Sequence, residues 1–196
     1  MTIMHRDCAW ISLRAAMASA LLISAVASTA AQTDVTRLTF KGGIGVIPVS
    51  SGVLDNGNAT AAAVAPSVNR NIVRNVQPAG QIWVIDDLDA KVRADGVIAV
   101  EGKGLILGGG NNAGRAAGQS VFATLICEAQ APFTENSTPL SGVLLSPTGD
   151  FRIDATLAPL PPDICPSPML LIRNAAVNQV TGFVWFAVGI FRPDNN

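Results

Sequence analysis

The sequence predicts an all-β fold, an antiparallel β-sandwich of the Ig-like or Greek-key type, behind an N-terminal signal helix. Three observations predict it. Beyond residue 31 no Gly- and Pro-free stretch carries the 3.6-residue apolar period of a helix over the roughly 10 residues one needs. Short runs of Val, Ile and Phe instead alternate with clusters of Gly, Pro, Asn and Asp, the pattern of strands joined by turns. Two hairpin signatures then set the antiparallel sense.

Residues 1–31 read as a removable secretory signal. Arg6 and Arg14 form a positive start, the run from Ala15 to Ala27 has no charge, and Ala25-Val26-Ala27 and Ser28-Thr29-Ala30 offer small-x-small cleavage sites, as signal peptidase requires. Cleavage is expected near Ala30 or Ala31. A retained membrane anchor is the alternative. The apolar core, however, is shorter than the roughly 20 residues that span a bilayer, and no Cys follows it to carry lipid. After cleavage no stable membrane span remains.

Residues 32–191 are about as many as one domain with a full core needs. Strands are expected near 35–41, 43–48, 81–86, 89–94, 97–107, 119–128, 141–146, 149–157, 168–173 and 182–191. Asp95-Gly96 between the runs 90–94 and 97–100 gives one hairpin, Gly supplying the positive φ of a tight turn. Pro147-Thr148-Gly149 between 142–146 and 150–155 gives the second. Each hairpin follows an apolar run, 81–85 or 121–126, which suggests a weak internal duplication. The small, polar stretch near 56–80 reads as a long surface loop, and 192–196 as a disordered tail.

Removing the signal removes His5 and Cys8, so the remainder has no histidine, and the chain has no tyrosine anywhere. Cys127 and Cys165 are then the only cysteines, and an exported pair reads as one disulfide. Closing the chain between them removes about 4 kcal/mol of unfolded-state entropy. A buried thiol pair is the alternative; zinc would need more ligands than two thiolates supply. The signal takes two arginines and one aspartate from a chain of net charge −1, leaving −2 with no block of one sign. Nucleic acid would demand a basic face, and none is present.

Candidate sites are few. Gly108-Gly109-Gly110-Asn111-Asn112-Ala113-Gly114 is Gly-rich, but a phosphate loop must open a helix, and here another strand follows. Asp86, Asp87 and Asp89 are the densest acids; calcium loops begin this way, yet a solvated strand end is the plainer reading. Without His there is no Ser-His-Asp or Cys-His set. Lys41, Lys91 and Lys103 lack the Ser-x-x-Lys context of a dyad, and Asp150 and Asp154 would stand about 13 Å apart on a strand, too far for a glycosidase pair. No catalytic residue, metal site or cofactor is therefore expected. Asn58-Ala59-Thr60 and Asn136-Ser137-Thr138 match the glycosylation sequon. Trp83, Trp185 and Phe186 could form a sugar platform, although aromatics in apolar strands are mostly core.

The C-terminal half, through Gly149-Asp150-Phe151-Arg152-Ile153-Asp154, Pro161-Pro162, Cys165, Pro168, Leu170-Leu171-Ile172-Arg173 and Trp185-Phe186-Ala187, resembles uncharacterised exported bacterial proteins. The likeness extends back through the Trp83 strand over about two-thirds of the chain. It implies bacterial export and a β-domain, and brings no catalytic motif.

The expected function is that of an exported, non-enzymatic protein with a structural or binding role in the periplasm, at the cell surface or outside the cell. Its partner would be another protein or a surface glycan. The alternatives are a fimbrial subunit, which would place its cysteines and a tyrosine differently, a small hydrolase without histidine, and an outer-membrane barrel, which would need a polar lumen and aromatic girdles.

Overall fold

The computed structural model describes residues 36–47, 49–51, 67–69, 71–176 and 182–193. The expected signal at 1–31, residues 56–66 and 70 of the expected loop and the last three residues of the expected tail lie outside these. Thirteen strands run in chain order: β1 Thr36–Gly45, β2 Val49–Ser51, β3 Ser67–Asn69, β4 Trp83–Val84, β5 Asp87–Arg93, β6 Val97–Lys103, β7 Ile106–Leu107, β8 Ser120–Ile126, β9 Asn136–Ser137, β10 Val143–Leu144, β11 Phe151–Thr156, β12 Met169–Asn174 and β13 Trp185–Arg192. There is no helix among the described residues, and the fold is all-β.

The expected runs 35–41 and 43–48 are one strand, β1, with a bulge between Phe40 and Gly43. The run 97–107 breaks instead, because Gly104 turns the chain at φ +64°. The expected loop near 56–80 contains β3 and a tight Val73–Val76 bridge, and buries Val76 and Ala79. Arg192, expected in the tail, ends β13 opposite Thr39.

Pairing is antiparallel throughout the main sheet, in the order β10-β8-β12-β13-β1-β5-β6-β11, with β9 also on β8. One sheet therefore rolls round on itself, where the sequence suggests two facing sheets. Its two ends meet twice. Ser137 and Ala158 exchange backbone hydrogen bonds of 2.9 and 2.8 Å, and Ser146 N–H donates to Asp150 O at 2.9 Å. The result is a nearly closed barrel. Along its seam β8, β9–β10 and β11 follow one another, and β12 returns beside β8. The suggested duplication does not repeat in the pairing, since β4 pairs with β7 whereas β8 lies among β9, β10 and β12.

Alternation explains one half of the barrel. Leu88, Ala90 and Val92 of β5, Ile98 and Val100 of β6, and Phe151 and Ile153 of β11 fill the interior, while Asp89, Lys91, Glu101, Arg152 and Asp154 face water. One wet face and one packed face is the usual antiparallel arrangement. The other half breaks the rule. Val121 to Ile126 in β8 and Leu170 to Arg173 in β12 are buried at every position, because a second layer of chain covers the outside of these strands.

Turn chemistry fixes the hairpins. Gly96 (φ +79°) donates to Arg93 O, and Asp95 accepts from Val97 N–H at 3.1 Å and from the Arg93 guanidinium at 2.9 Å. The Val97 amide, then Arg93, holds the Asp95 carboxyl below its ordinary range against a smaller desolvation effect. Gly149 (φ +85°) closes the second turn beneath Leu105, whose N–H donates to its carbonyl at 3.0 Å. A β-carbon on Gly149 would stand 2.4 Å from Leu105 O, with backbone all round it. Gly149→Ala is therefore expected to cost about 1–3 kcal/mol from backbone strain alone. A urea midpoint lowered at constant slope would show it, and an unchanged midpoint would contradict it.

Candidate functional site

The seam carries a groove of ≈ 450 Å³ on the outer face. Its polar lining is Glu135, Ser137, Thr138, Thr156 and Arg173; Pro139, Leu140, Ala158 and Phe183 supply apolar walls. Volumes of this order are typical of small-molecule sites.

Arg173 lies next to the end of the apolar strand β12, opposite Phe122 of β8, and only 7% of its side chain is exposed. Its Nε and NH2 donate to Phe183 O at 3.1 and 2.8 Å, and NH1 donates to Thr124 Oγ1 at 3.4 Å and Glu135 Oε2 at 2.5 Å. The guanidinium also lies over the Phe122 ring, 5.4 Å from its centroid. A buried cation needs such a set of acceptors, since an unpaired one is prohibitively costly. Arg173 thereby fastens the approach to β13 onto β8. Phe183 completes the arrangement edge-on to Phe122, with centroids 5.3 Å apart.

Beside this cation, side chains reinforce the backbone pairing of β9 with β8. Asn136 is fully buried, its Nδ2 donating to Leu125 O at 3.0 Å and Thr134 O at 3.3 Å. Thr138 Oγ1 accepts from Ala123 N–H at 3.0 Å, and the Thr124 and Ser137 hydroxyls bond at 2.9 Å. The sequon at Asn136 is thus a structural strand: the nitrogen a glycan would modify lies in the core. The sequon at Asn58 lies outside the described residues.

Cys127 and Cys165 form a disulfide, with S–S 2.10 Å and Cα atoms 4.7 Å apart. It sits beside a second, partly buried cation. Arg74 (φ +49°) donates to Glu128 O and, at 2.7 Å, to Ser167 Oγ, with its guanidinium 5.9 Å from the Phe133 ring centroid. Desolvation lowers the Arg74 pKa, and the nearby Glu128 charge partly offsets this. Glu128 itself is held below its ordinary range, first by the Thr134 amide that donates to Oε2 at 3.1 Å.

The other candidates do not converge. Gly108 to Gly114 fold into successive turns, Gly114 N–H donating to Leu107 O at 2.8 Å, before the chain enters β8. Asp89 pairs with Lys41 at 3.0 Å, and Asp87 Oδ1 accepts from Leu88 N–H at 2.9 Å. The Asp86 carboxylate packs against Gly104. Lys91 lies in β5 opposite Ala99, and Lys103 in β6 opposite Asp87. Asp150 accepts from Gly104 N–H at 3.1 Å, and Asp154 pairs with Arg152 at 2.6 Å, raising the arginine's pKa. Trp83, stacked on Phe186 with centroids 4.0 Å apart, and Trp185 are all buried. They are core, not a platform.

Sequence reasoning missed Arg173, Glu135 and Arg74. A single arginine closing Leu170-Leu171-Ile172 was the only available signal, and it reads equally well as a strand end. Compared with protein families, curated proteins and solved structures, the chain matches none.

Arg173→Met is expected to cost about 2–3 kcal/mol, since it strips the Phe183 carbonyl of both its guanidinium donors. Glu135→Gln should cost under about 1 kcal/mol, because that carboxylate is half-exposed. Chemical denaturation of both variants checks the asymmetry, and equal losses would contradict it.

Proposed function

We propose that this chain is an exported, non-enzymatic β-domain protein that acts by binding in the extracytoplasmic space. The observation that carries the reading is the Cys127–Cys165 disulfide, since such bonds persist in oxidising compartments and are scarce in the cytosol. The segment 1–31 and the resemblance to exported bacterial proteins support the same address.

The chemistry of the barrel supports a binding role over catalysis. Its wet face carries local ion pairs such as Lys41–Asp89 and Arg152–Asp154, and the remainder after residue 31 has no histidine. The groove beside Arg173 offers shape and hydrogen-bonding groups with no nucleophile–base pair among them. A soluble domain fits better than an outer-membrane barrel, because the interior is packed with Leu, Ile and Phe while the outside of β5, β6 and β11 is charged. A membrane barrel reverses that polarity.

Expression in a bacterial host with intact secretion tests the address. Mass spectrometry of the exported protein should show a start near Ala31 and a mass two hydrogens below the fully reduced value. A full-length N-terminus would refute export by signal cleavage, and two alkylatable thiols would refute the oxidised state.

A further inference from the structure

We infer that the groove beside Arg173 is a carbohydrate site that takes a neutral pyranose with one apolar face and a rim of hydroxyls. The inference rests on the domain being a binding protein, but its test is independent of export.

Charge comes first. The only ions lining the groove, Arg173 and Glu135, are already paired at 2.5 Å. An anionic ligand would have to displace Glu135 from Arg173, and a cationic one would have to compete with the guanidinium. A neutral ligand does neither.

Polarity comes second. Leu140, 48% exposed, and Phe183 give the groove an apolar side. Opposite them stand groups with hydrogen-bonding capacity to spare. Thr156 Oγ1 has no protein partner among the described residues, Glu135 uses only Oε2, and Ser137 spends one bond on Thr124. A purely apolar ligand would leave these groups buried and unsatisfied, which is costly.

Backbone comes third. Ser137 N–H and C=O, on the groove floor, both bond Ala158, so this stretch offers no open edge for a peptide to extend as a strand. Recognition must go through a carboxylate, which accepts, and hydroxyls, which donate or accept as required. Sugar hydroxyls do the same, and the axial C–H face of a pyranose suits the wall at Leu140 and Phe183.

Backbone amide NMR of the intact, oxidised domain, titrated with methyl pyranosides of glucose, galactose, mannose and N-acetylglucosamine, tests the proposal. At least one should give saturable millimolar shifts centred on Glu135, Ser137, Leu140, Thr156 and Phe183. Thr156→Val, an exposed and nearly isosteric change on β11, should weaken that binding about tenfold, the worth of one lost hydrogen bond, and leave the rest of the spectrum in place. If no pyranoside produces saturable shifts, or they fall elsewhere, the proposal is wrong. It is equally wrong if a neutral tetrapeptide or a fatty acid saturates these residues and no sugar does, or if Thr156→Val binds unchanged.

Discussion

Burying β8 and β12 on both faces is the constraint on which the rest of the barrel depends. A rolled antiparallel sheet normally needs one apolar face, because the other meets water. Phe122, Ile126 and Leu171 point away from the barrel interior and are nonetheless buried. That surface stays dry only if the covering chain is held down. The segments that cover it have little regular structure, so local propensity cannot hold them. Specific long-range fasteners do. Trp185 Nε1 donates to Asn71 O at 3.1 Å, Arg74 reaches Glu128 and Ser167, Arg173 grips Phe183 O, and the disulfide ties the end of β8 to the approach to β12.

These fasteners form two centres with different geometry. Arg74 bonds groups on either side of the disulfide: Glu128 follows Cys127, and Ser167 lies two residues after Cys165. Ser167 N–H also donates to Cys127 O at 3.1 Å. The covalent bond thus holds in place the acceptors that the guanidinium needs. Arg173 works at the seam, where Ser137 bridges Ala158 and closes the barrel. The groove exists there because β9 and β10 are short and the segment between them stands off from β11. The same irregularity that leaves the seam incompletely closed opens a concave surface lined with hydroxyls. The half built on β5, β6 and β11 lacks these features, and its cross-strand charge pairs suit it to solvation.

Much of the strand content was legible in the sequence, because it depends on local pattern. The alternation of Phe151 and Ile153 with Arg152 and Asp154, and the turns at Gly96 and Gly149, are where the residues place them. The cysteine pair was legible through its number once the signal is set aside. The closing of the sheet was not, since pairing β1 with β13 joins the two ends of the domain and no local period encodes it. β9 was illegible for another reason. Asn136-Ser137-Thr138 is polar, reads as a sequon, and becomes a strand because its backbone pairs with β8 and its side chains bond the backbone there. Arg74 and Arg173 were missed because their partners lie far along the chain. Apolar runs such as Leu170-Leu171-Ile172 announce burial without naming what does the covering.

Native-state hydrogen exchange, measured on the oxidised protein and again after reduction with a dithiol, tests most directly whether the outer layer hangs on these fasteners. Reduction should raise exchange at amides of 71–79 and 128–135, then of β8 and β12 beneath them. The amides of β5, β6 and β11 should keep their protection. Uniform loss across the barrel, or unchanged protection of the covering segments, would contradict the account.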